Sequence, residues 1–194
     1  IETYRSSFAG GRTTSHKESP FDVGDQLHLC YDADARVLFW TMNGVDRPPL
    51  DNVPVNGHDL YWFIGNMSGV THHSDIATGK LPVAAPALAP APSPVSDLMK
   101  VHRTAGKCTV EGSSVKIEGG GTVIIGDPMR SGKWIMDLKV THCSGLECLG
   151  VCEGAVNIEA DTSAGYNLMW KRKAGAGVFK IETYRSSFAG GRTT

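Results

Sequence analysis

Residues 24–44 read GDQLHLCYDADARVLFWTMNG, and this stretch decides the fold class. In 26–31, three apolar residues alternate with Gln, His and Cys, which is the period-two pattern of a β-strand with one buried face. The turn at 32–35 leads into a second apolar strand, 36–42, and Asn43-Gly44 ends that strand with a strong turn signal. The alternating apolar residues of the first strand are Leu27, Leu29 and Tyr31.

The same pattern of short strands and turns continues along the chain. Residues 134–140 alternate in the same way, and glycines separate several further apolar segments. These further strands are predicted at 60–66, 70–76, 107–111, 114–118, 122–125 and 148–152. Helical periodicity is limited to one turn near Ser96–Val101. We therefore predict an all-β fold, a sandwich of antiparallel strands in two sheets.

A repeated segment defines the organisation of the chain. The sequence IETYRSSFAGGRTT occurs at Ile1–Thr14 and again, without a change, at Ile181–Thr194. The chain therefore consists of one period of 180 residues and the first 14 residues of the next. Two origins fit this pattern: a fragment cut from an array of near-identical repeats, or a domain permuted with its junction strand kept twice.

The segment 79–95 is predicted to be a linker. Its 81–95 part, LPVAAPALAPAPSPV, contains five prolines and five alanines, buries little and favours extended conformations. A proline-rich ligand for an aromatic groove is the alternative, and spacer use is the commoner role of such segments. The natural order of the unit is then 96–194 followed by 15–78, with the domain boundary inside the linker.

In that order, several motifs resemble the SPRY domain family. They are the strands Gly24–Asp32 and Val37–Gly44, the aromatic segment Leu60–Phe63, Ser131–Trp134 with Leu149–Val151, and Gly165–Trp170. The resemblance makes 96–194 the N-terminal half and 1–78 the C-terminal half of one SPRY-like sandwich. It implies a bent β-sandwich that binds protein or peptide through loops at one edge, without catalytic machinery.

The duplicated segment raises a question of assembly, because one sandwich has a place for only one copy. Either one copy fills the native position and the other is displaced, or half-domains of neighbouring chains pair in a domain-swapped assembly. Self-association through swapping is thus a predicted possibility for this chain.

Composition excludes several classes of protein. The 194 residues are 41 % hydrophobic and 20 % charged, with a net charge of -1, so no basic field gathers nucleic acid. No apolar run is long enough to cross a membrane, and the chain does not open like a signal peptide. Five cysteines, an odd count, predict free thiols in a reducing, intracellular and cytoplasmic compartment.

Three motifs in the sequence suggest metal, phosphate or hydrolytic chemistry, and their spacing argues against each. Cys148 and Cys152 would share a strand face about 13 Å apart, too far for one zinc ion, so no metal site is predicted. A P-loop requires four residues between its two glycines. The P-loop-like segment 126–134 has five. The run His72–Asp75 places neighbours on opposite faces of a strand, which prevents a local triad. We predict no enzyme activity and no cofactor.

The basic cluster beside Trp170 is the candidate contact surface, since aromatic residues and arginine are favoured anchors of interfaces. The predicted partner-binding residues are Tyr166, Trp170, Lys171, Arg172, Lys173, Arg130, Asp46 and Arg47. The predicted function is recognition of a protein or peptide, in a repeat that gains avidity from linked sites. A structural or antigenic repeat without a ligand, and a carbohydrate-binding sandwich, are the alternatives.

Overall fold

A computed structural model describes residues 2–5, 12–15, 17–18, 23–50, 53, 59–82, 99–154, 166–171 and 179–180. Within these ranges every regular element is a β-strand and all strand pairs are antiparallel. The predicted all-β antiparallel class is therefore confirmed. In the same ranges, no helix has the length and apolar character needed to cross a bilayer.

The strands follow one another along the chain with turns or short loops between most of them. They are β1 (Glu2–Arg5), β2 (Arg12–Ser15), β3 (Lys17–Glu18), β4 (Gln26–Asp32), β5 (Val37–Met42), β6 (Val45–Leu50), β7 (Leu60–Lys80), β8 (Val101–Glu111), β9 (Ser114–Ile125), β10 (Lys133–Glu153), β11 (Tyr166–Lys171) and β12 (Phe179–Lys180). Two small sheets, β1-β2 and β12-β3, accompany one sheet of eight strands.

The large sheet is built around two strands of 21 residues each, β7 and β10, which pair along their whole length. Its order is β6-β5-β4-β10-β7-β9-β8, and β11 pairs with the far part of β10. Strand β4 pairs with Lys133–Lys139 of β10, and β11 pairs with Leu146–Val151 of the same strand. Strand β10 therefore belongs to two groups of strands. The first half of the sheet is thus β6-β5-β4-β10-β7, and the second half is β11-β10-β7-β9-β8.

Both halves bury side chains in the same hydrophobic core. Leu29 and Trp40 from the first half belong to one cluster with Ile117, Val123 and Leu149 from the second half. A single sheet can enclose side chains of both halves in one cluster only by folding over on itself, as two packed layers do. The fold is therefore β-sandwich-like, and in the part of the chain that the structure describes its outer strands β6 and β8 do not pair to close a barrel.

A line of glycines marks where the second half bends. Gly69 in β7, Gly106 in β8 and Gly120 in β9 have φ angles of +83°, +70° and +85°, values that favour glycine. The pairing register shifts next to each of them, between Asn66 and Val70 and between Ala105 and Lys107. These shifts are β-bulges, which bend and twist a sheet. We call Gly69, Gly106 and Gly120 the glycine row.

The structure corrects several predictions about segment boundaries. The strands predicted at 114–118 and 122–125 are one strand, β9, and those predicted at 134–140 and 148–152 belong to one strand, β10. The strands predicted at 60–66 and 70–76 are one strand, β7, because the backbone at Ser68 and Gly69 stays paired with β10 across the bulge. Strand β7 also continues to Lys80, so the first two residues of the predicted linker are strand residues. The helical turn predicted near 96–101 is not helical at Met99 and Lys100, and Val101 begins β8.

Segments on both sides of the proposed linker alternate in the sheet. Strands β4 and β7 precede it in the chain, yet β10, which follows it, lies between them. The linker residues 83–95 lie outside the described residues. In the first copy of the duplicated segment, residues 2–5 lie in β1 and residues 12–14 in β2, whereas the second copy lies outside the described residues.

Candidate functional site

The outer face of the first half carries the candidate site, and the alternation in β4 explains why. Leu27, Leu29 and Tyr31 are buried in the core, so His28 and Cys30 lie on the opposite face. The sequence pattern had predicted this division of β4 into two faces, and the structure confirms it.

The Asn43-Gly44 turn fixes how β5 and β6 pair. Its φ angles, +53° and +75°, are both positive, which is the geometry of the two-residue turns that match strand twist. The Asn43 side chain also holds the start of β4, because its Oδ1 accepts a hydrogen bond from the Gln26 amide at 2.9 Å. Its Nδ2 donates to Asp25 Oδ1 at 2.7 Å. The turn is therefore tied to the neighbouring strand.

Pairing then aligns a row of residues across five strands, and its members in β6, β5, β4 and β10 are polar. His28 lies opposite Thr41 in β5 and opposite Asp137 in β10. Asp46 in β6 extends the row beyond Thr41, and Ala77 in β7 extends it beyond Asp137. Cross-strand neighbours on one face are about 5 Å apart, so their side chains interact.

An open groove of about 360 Å³ lies on this row. This volume is within the range of sites that hold small ligands or a few side chains. We call it the polar groove, and it is lined by Gln26, Leu27, His28, Thr41, Gly44, Asp75, Asp137, Leu138 and Lys139.

A short hydrogen bond between His28 and Asp137 is the main polar contact in the groove. The distance from His28 Nδ1 to Asp137 Oδ1 is 2.6 Å, and the two side chains are 43 % and 38 % exposed. This hydrogen bond raises the pKa of His28 above its ordinary value of 6.5, although partial burial opposes the shift. The pair stabilises the fold below pH 6.5 and loses that effect as pH rises through the raised pKa, by less than about 1 kcal/mol at this exposure.

Asp75 lines the groove in an unusual backbone conformation. Its φ angle is +55°, in the left-handed region that non-glycine residues seldom adopt. It lies where β7 carries an extra residue relative to β10, because Ser74 pairs with Lys139 while Ala77 pairs with Asp137. The Ser74 hydroxyl donates to Asp75 Oδ2 at 3.3 Å. Such strain costs about 1–3 kcal/mol and concentrates at functional sites.

Replacing Asp75 with glycine is expected to stabilise the protein relative to Asp75→Ala by about 1 kcal/mol, because glycine adopts a positive φ without strain. Urea unfolding followed by tryptophan fluorescence measures the difference. Asp75→Ala is the matched control, since it also removes the carboxylate but keeps the strained Cβ. Equal stabilities for the two variants would contradict the assignment of strain to Asp75.

The groove offers both charges and both kinds of hydrogen-bonding group. Asp75 and Asp137 supply carboxylates, and Lys139 and the protonated His28 supply donors. Because Asp137 engages Nδ1 of His28, the other ring nitrogen is the one left for a ligand. A hydrolytic triad would also need a hydroxyl bonded to the ring, and Thr41 makes no recorded bond to it in the described part of the chain.

An apolar row lies beside the groove on the same face. Phe39 pairs with Cys30, and Cys30 pairs with Ile135. Phe39 is 44 % exposed, so its ring is available to a partner, whereas Ile135 is buried. The face therefore combines an aromatic contact with a mixed-charge groove, two features found together in recognition surfaces.

The predicted partner-binding residues of β11 lie on the second half of the sheet. The backbone of Tyr166 pairs with Val151, that of Trp170 with Glu147 and that of Lys171 with Leu146. Tyr166 and Trp170 are four residues apart in one strand, about 13 Å along it. Arg172 and Lys173 lie outside the described residues.

The other predicted residues lie at opposite ends of the β4-β5 hairpin. Arg130 donates two hydrogen bonds to Asp59, at 2.7 and 2.8 Å, just before Gly132, whose amide donates to Asp34 in the β4-β5 turn. Asp46 and Arg47 follow the Asn43-Gly44 turn at the far end of the hairpin. Asp46 is exposed and shares the row of His28, whereas Arg47 pairs with Trp40, whose side chain is in the core.

Arg130 is part of a polar surface that the sequence did not reveal as a group. Tyr61 stacks on His102 with ring centroids 4.3 Å apart, and Lys100 bonds Asp127 at 2.5 Å. Each of these contacts joins segments far apart in the sequence. The exposed ion pairs add little stability, so this surface is a set of oriented charges near the start of β7.

The structure also describes the cysteine, histidine and P-loop-like motifs. In the described part of the chain no three His, Cys, Asp or Glu side chains are grouped as metal ligands, and Cys30, Cys108, Cys143 and Cys152 are free thiols. Within the His72–Asp75 run, His73 is completely buried while its neighbours His72 and Ser74 are not. The P-loop-like segment leads into β10, a strand.

The polar groove was missed because its parts are distant in the sequence. His28 and Asp137 are 109 positions apart, and Asp75 lies between them. The available signal was weak: His28 and Asp137 both occupy the polar positions of clearly alternating strands. Alternation shows which face of its own strand each residue occupies. Only the order of the strands in the sheet shows that His28 and Asp137 are neighbours.

The structure and comparisons define the protein at the level of its fold. The chain is an all-β protein with a bent, open antiparallel sheet and a polar groove on one outer face. Its sequence matches no protein-family model and no curated protein, and no solved structure matches its fold.

Proposed function

We propose that the protein is a non-catalytic recognition module that binds a polar peptide segment of a partner protein in the polar groove. The observation that carries the proposal is the combination of an open, mixed-charge groove and the exposed Phe39 on one sheet face. The amides of a peptide backbone can donate to the carboxylates of the groove, and its carbonyls can accept from the groove's donors. An aromatic side chain beside them supplies the apolar part of the contact.

Most of the groove's lining residues lie on paired strands, which favours binding without a large ordering cost. The groove is formed by β4, β5, β7 and β10, and the His28–Asp137 bond fixes one of its walls. Sites on strands are positioned more accurately than sites on loops. The strained backbone of Asp75 supports a role for its carboxylate in the ligand contact.

The resemblance to SPRY domains supports the same class of function through a different surface. It implies contacts from loops at one edge, with Arg130 as a loop candidate, whereas Tyr166 and Trp170, predicted in the same surface, lie in strand β11. If such units are joined by proline-rich linkers, several weak sites gain avidity in one array. The groove and the edge loops are thus two surfaces for one proposed activity, and single substitutions separate them.

Selection of peptides from a phage-displayed random library on the folded protein tests the proposal. Affinities of the selected peptides are then compared between the wild type, His28→Ala and Lys139→Ala by fluorescence polarisation. Each substitution removes one donor of the groove, and we expect each to weaken binding roughly tenfold or more, as loss of a central contact does.

Lys116→Ala is the matched control. Lys116 forms an exposed ion pair with Glu118 at 2.6 Å on β9, away from the groove, and its loss is expected to change affinity less than about twofold. Peptides whose binding depends on Arg130 and not on His28 would overturn the groove as the site. Selective retention of glycans on an array, or no selected ligand, would overturn recognition of a protein segment.

A further inference from the structure

The charged side chains that line the polar groove are of two kinds. Asp137 already has a partner within the groove, because its Oδ1 accepts the 2.6 Å hydrogen bond from His28. Asp75 and Lys139 line the same groove. Among the described residues, no ion pair joins Lys139 to either of these carboxylates. The groove therefore presents one carboxylate and one ammonium group to a ligand.

Strand register places these two groups side by side. Ser74 of β7 lies opposite Lys139 of β10, and Asp75 is the next residue of β7. Neighbouring strands are about 4.8 Å apart and successive residues of a strand about 3.3 Å, so the backbones of Asp75 and Lys139 are about 6 Å apart. A ligand that contacts both groups must carry its own two charges at a similar spacing.

The Asp75 carboxylate keeps room for a cation of the ligand. Its Oδ2 accepts a hydrogen bond from the Ser74 hydroxyl at 3.3 Å. An ionised carboxylate has two oxygens and about four positions for hydrogen bonds, so this contact uses only one of them. Asp75 is also exposed, and a cation of the ligand reaches it without displacing Ser74.

The charges of the groove are balanced, which favours a ligand of mixed charge. With His28 protonated, His28 and Lys139 offset Asp75 and Asp137. Gln26, which lies opposite Lys139 in β4, adds no charge. A ligand with two acidic groups would place one of them against Asp75, and a ligand with two basic groups would place one against Lys139. Like charges brought together in this way oppose binding.

An extended peptide provides two charges at the required spacing. In an extended segment, side chains two positions apart point to the same side and are about 7 Å apart along the backbone. This spacing is close to the separation of Asp75 and Lys139 across β7 and β10. Adjacent side chains of such a segment point to opposite sides, so they cannot both face the groove.

We propose that the polar groove selects an extended peptide segment in which an acidic and a basic side chain are two positions apart, the acidic one bound to Lys139 and the basic one to Asp75. This specificity rests on the proposed function, recognition of a peptide in the groove, and adds the charge pattern of the ligand. Both contacts are charge-assisted hydrogen bonds, which are stronger than those between neutral groups. Rejection of like-charged segments contributes as much to selectivity as these attractions.

Retention of phage-displayed peptide pools by the immobilised full chain tests the proposal. Each pool contains random peptides in which two positions, separated by one residue, are fixed. The fixed pairs are Glu with Lys in either order, Glu with Glu, Lys with Lys, and Gln with Gln. Sequencing of the retained phage measures the enrichment of each pool. We expect the pools of mixed charge to be enriched roughly tenfold or more over the other three.

Substitutions in the groove are expected to change this preference in a defined way. Lys139→Glu places carboxylates on both sides, so the Lys with Lys pool should become the most enriched, by roughly tenfold over the pools of mixed charge. Asp75→Asn removes one charge and retains a residue type that tolerates a positive φ. It should abolish the preference for the basic residue and keep the preference for the acidic one. Circular dichroism identifies any variant that does not fold.

Lys116→Gln is the matched control, because Lys116 lies in an exposed ion pair on β9, and it should keep the wild-type order of the pools. Equal retention of all pools by the wild type, with binding lost in His28→Ala, would overturn the charge selection and leave peptide recognition in the groove intact. Retention of no pool would overturn both.

Discussion

Replacing Gly69 with alanine is expected to prevent folding or to lower the free energy of unfolding by more than about 3 kcal/mol. A Cβ at this position would lie 1.8 Å from the main-chain oxygen of Ser144, and backbone, unlike a flexible side chain, cannot move aside cheaply. The φ angle of +83° adds the strain that any L side chain meets there. Strands β7 and β10 would have to separate at the bulge to admit the methyl group.

Gly112→Ala is the matched control for Gly69→Ala. Gly112 also has a positive φ, +57°, but a Cβ there would meet nothing within 4 Å, so the cost is limited to about 1 kcal/mol of backbone strain. Circular dichroism and urea unfolding of the two variants separate the contributions. Equal losses in both variants would show that β7 and β10 are not in close contact at Gly69.

The second large effect is an alkaline loss of stability that depends on Cys152. This thiol is completely buried, and its desolvation raises its pKa far above the ordinary value of 9.0. An acid whose neutral form is favoured in the folded state contributes full stability below its unfolded pKa and loses it above. The free energy of unfolding should therefore fall by about 1.4 kcal/mol for each pH unit above 9.

Tyr31 adds to the same effect at higher pH. Burial raises its pKa from 10.0 to about 12, so its contribution is lost between these two values. Urea unfolding curves from pH 8 to 11 of the wild type, Cys152→Ala and Tyr31→Phe measure both contributions. We expect a shallower decline above pH 9 for Cys152→Ala and a shallower decline above pH 10 for Tyr31→Phe. An unchanged slope for Cys152→Ala would show that the folded protein admits the thiolate.

The fold class could be read from local patterns, because alternation is a property of consecutive residues. The division of β4 into two faces and the Asn43-Gly44 turn were predicted for this reason, and both are confirmed. The length of β7 and β10 could not be predicted in the same way. Glycine at position 69 is a turn signal in a sequence, whereas in the sheet it is a bulge that leaves pairing with β10 intact.

Prediction of the candidate site required the order of the strands, which no single segment of the sequence reveals. Asp46 was predicted as a contact residue and lies in the same cross-strand row as His28, but the prediction grouped it with Arg130, at the other end of the hairpin. Residues that are predicted to share a surface need not meet, since the strands between them set their separation. The binding roles of Tyr166, Trp170 and Lys171 stay predictions, as do those of Arg172 and Lys173.

The two 21-residue strands have a consequence for how the molecule comes apart. Every hydrogen-bonded path from β4 to β9 passes through β10 and β7, which belong to both layers. Neither layer can unfold while the other stays intact, because β7 and β10 are part of both layers. We therefore expect all-or-none thermal denaturation, with calorimetric and van't Hoff enthalpies that coincide.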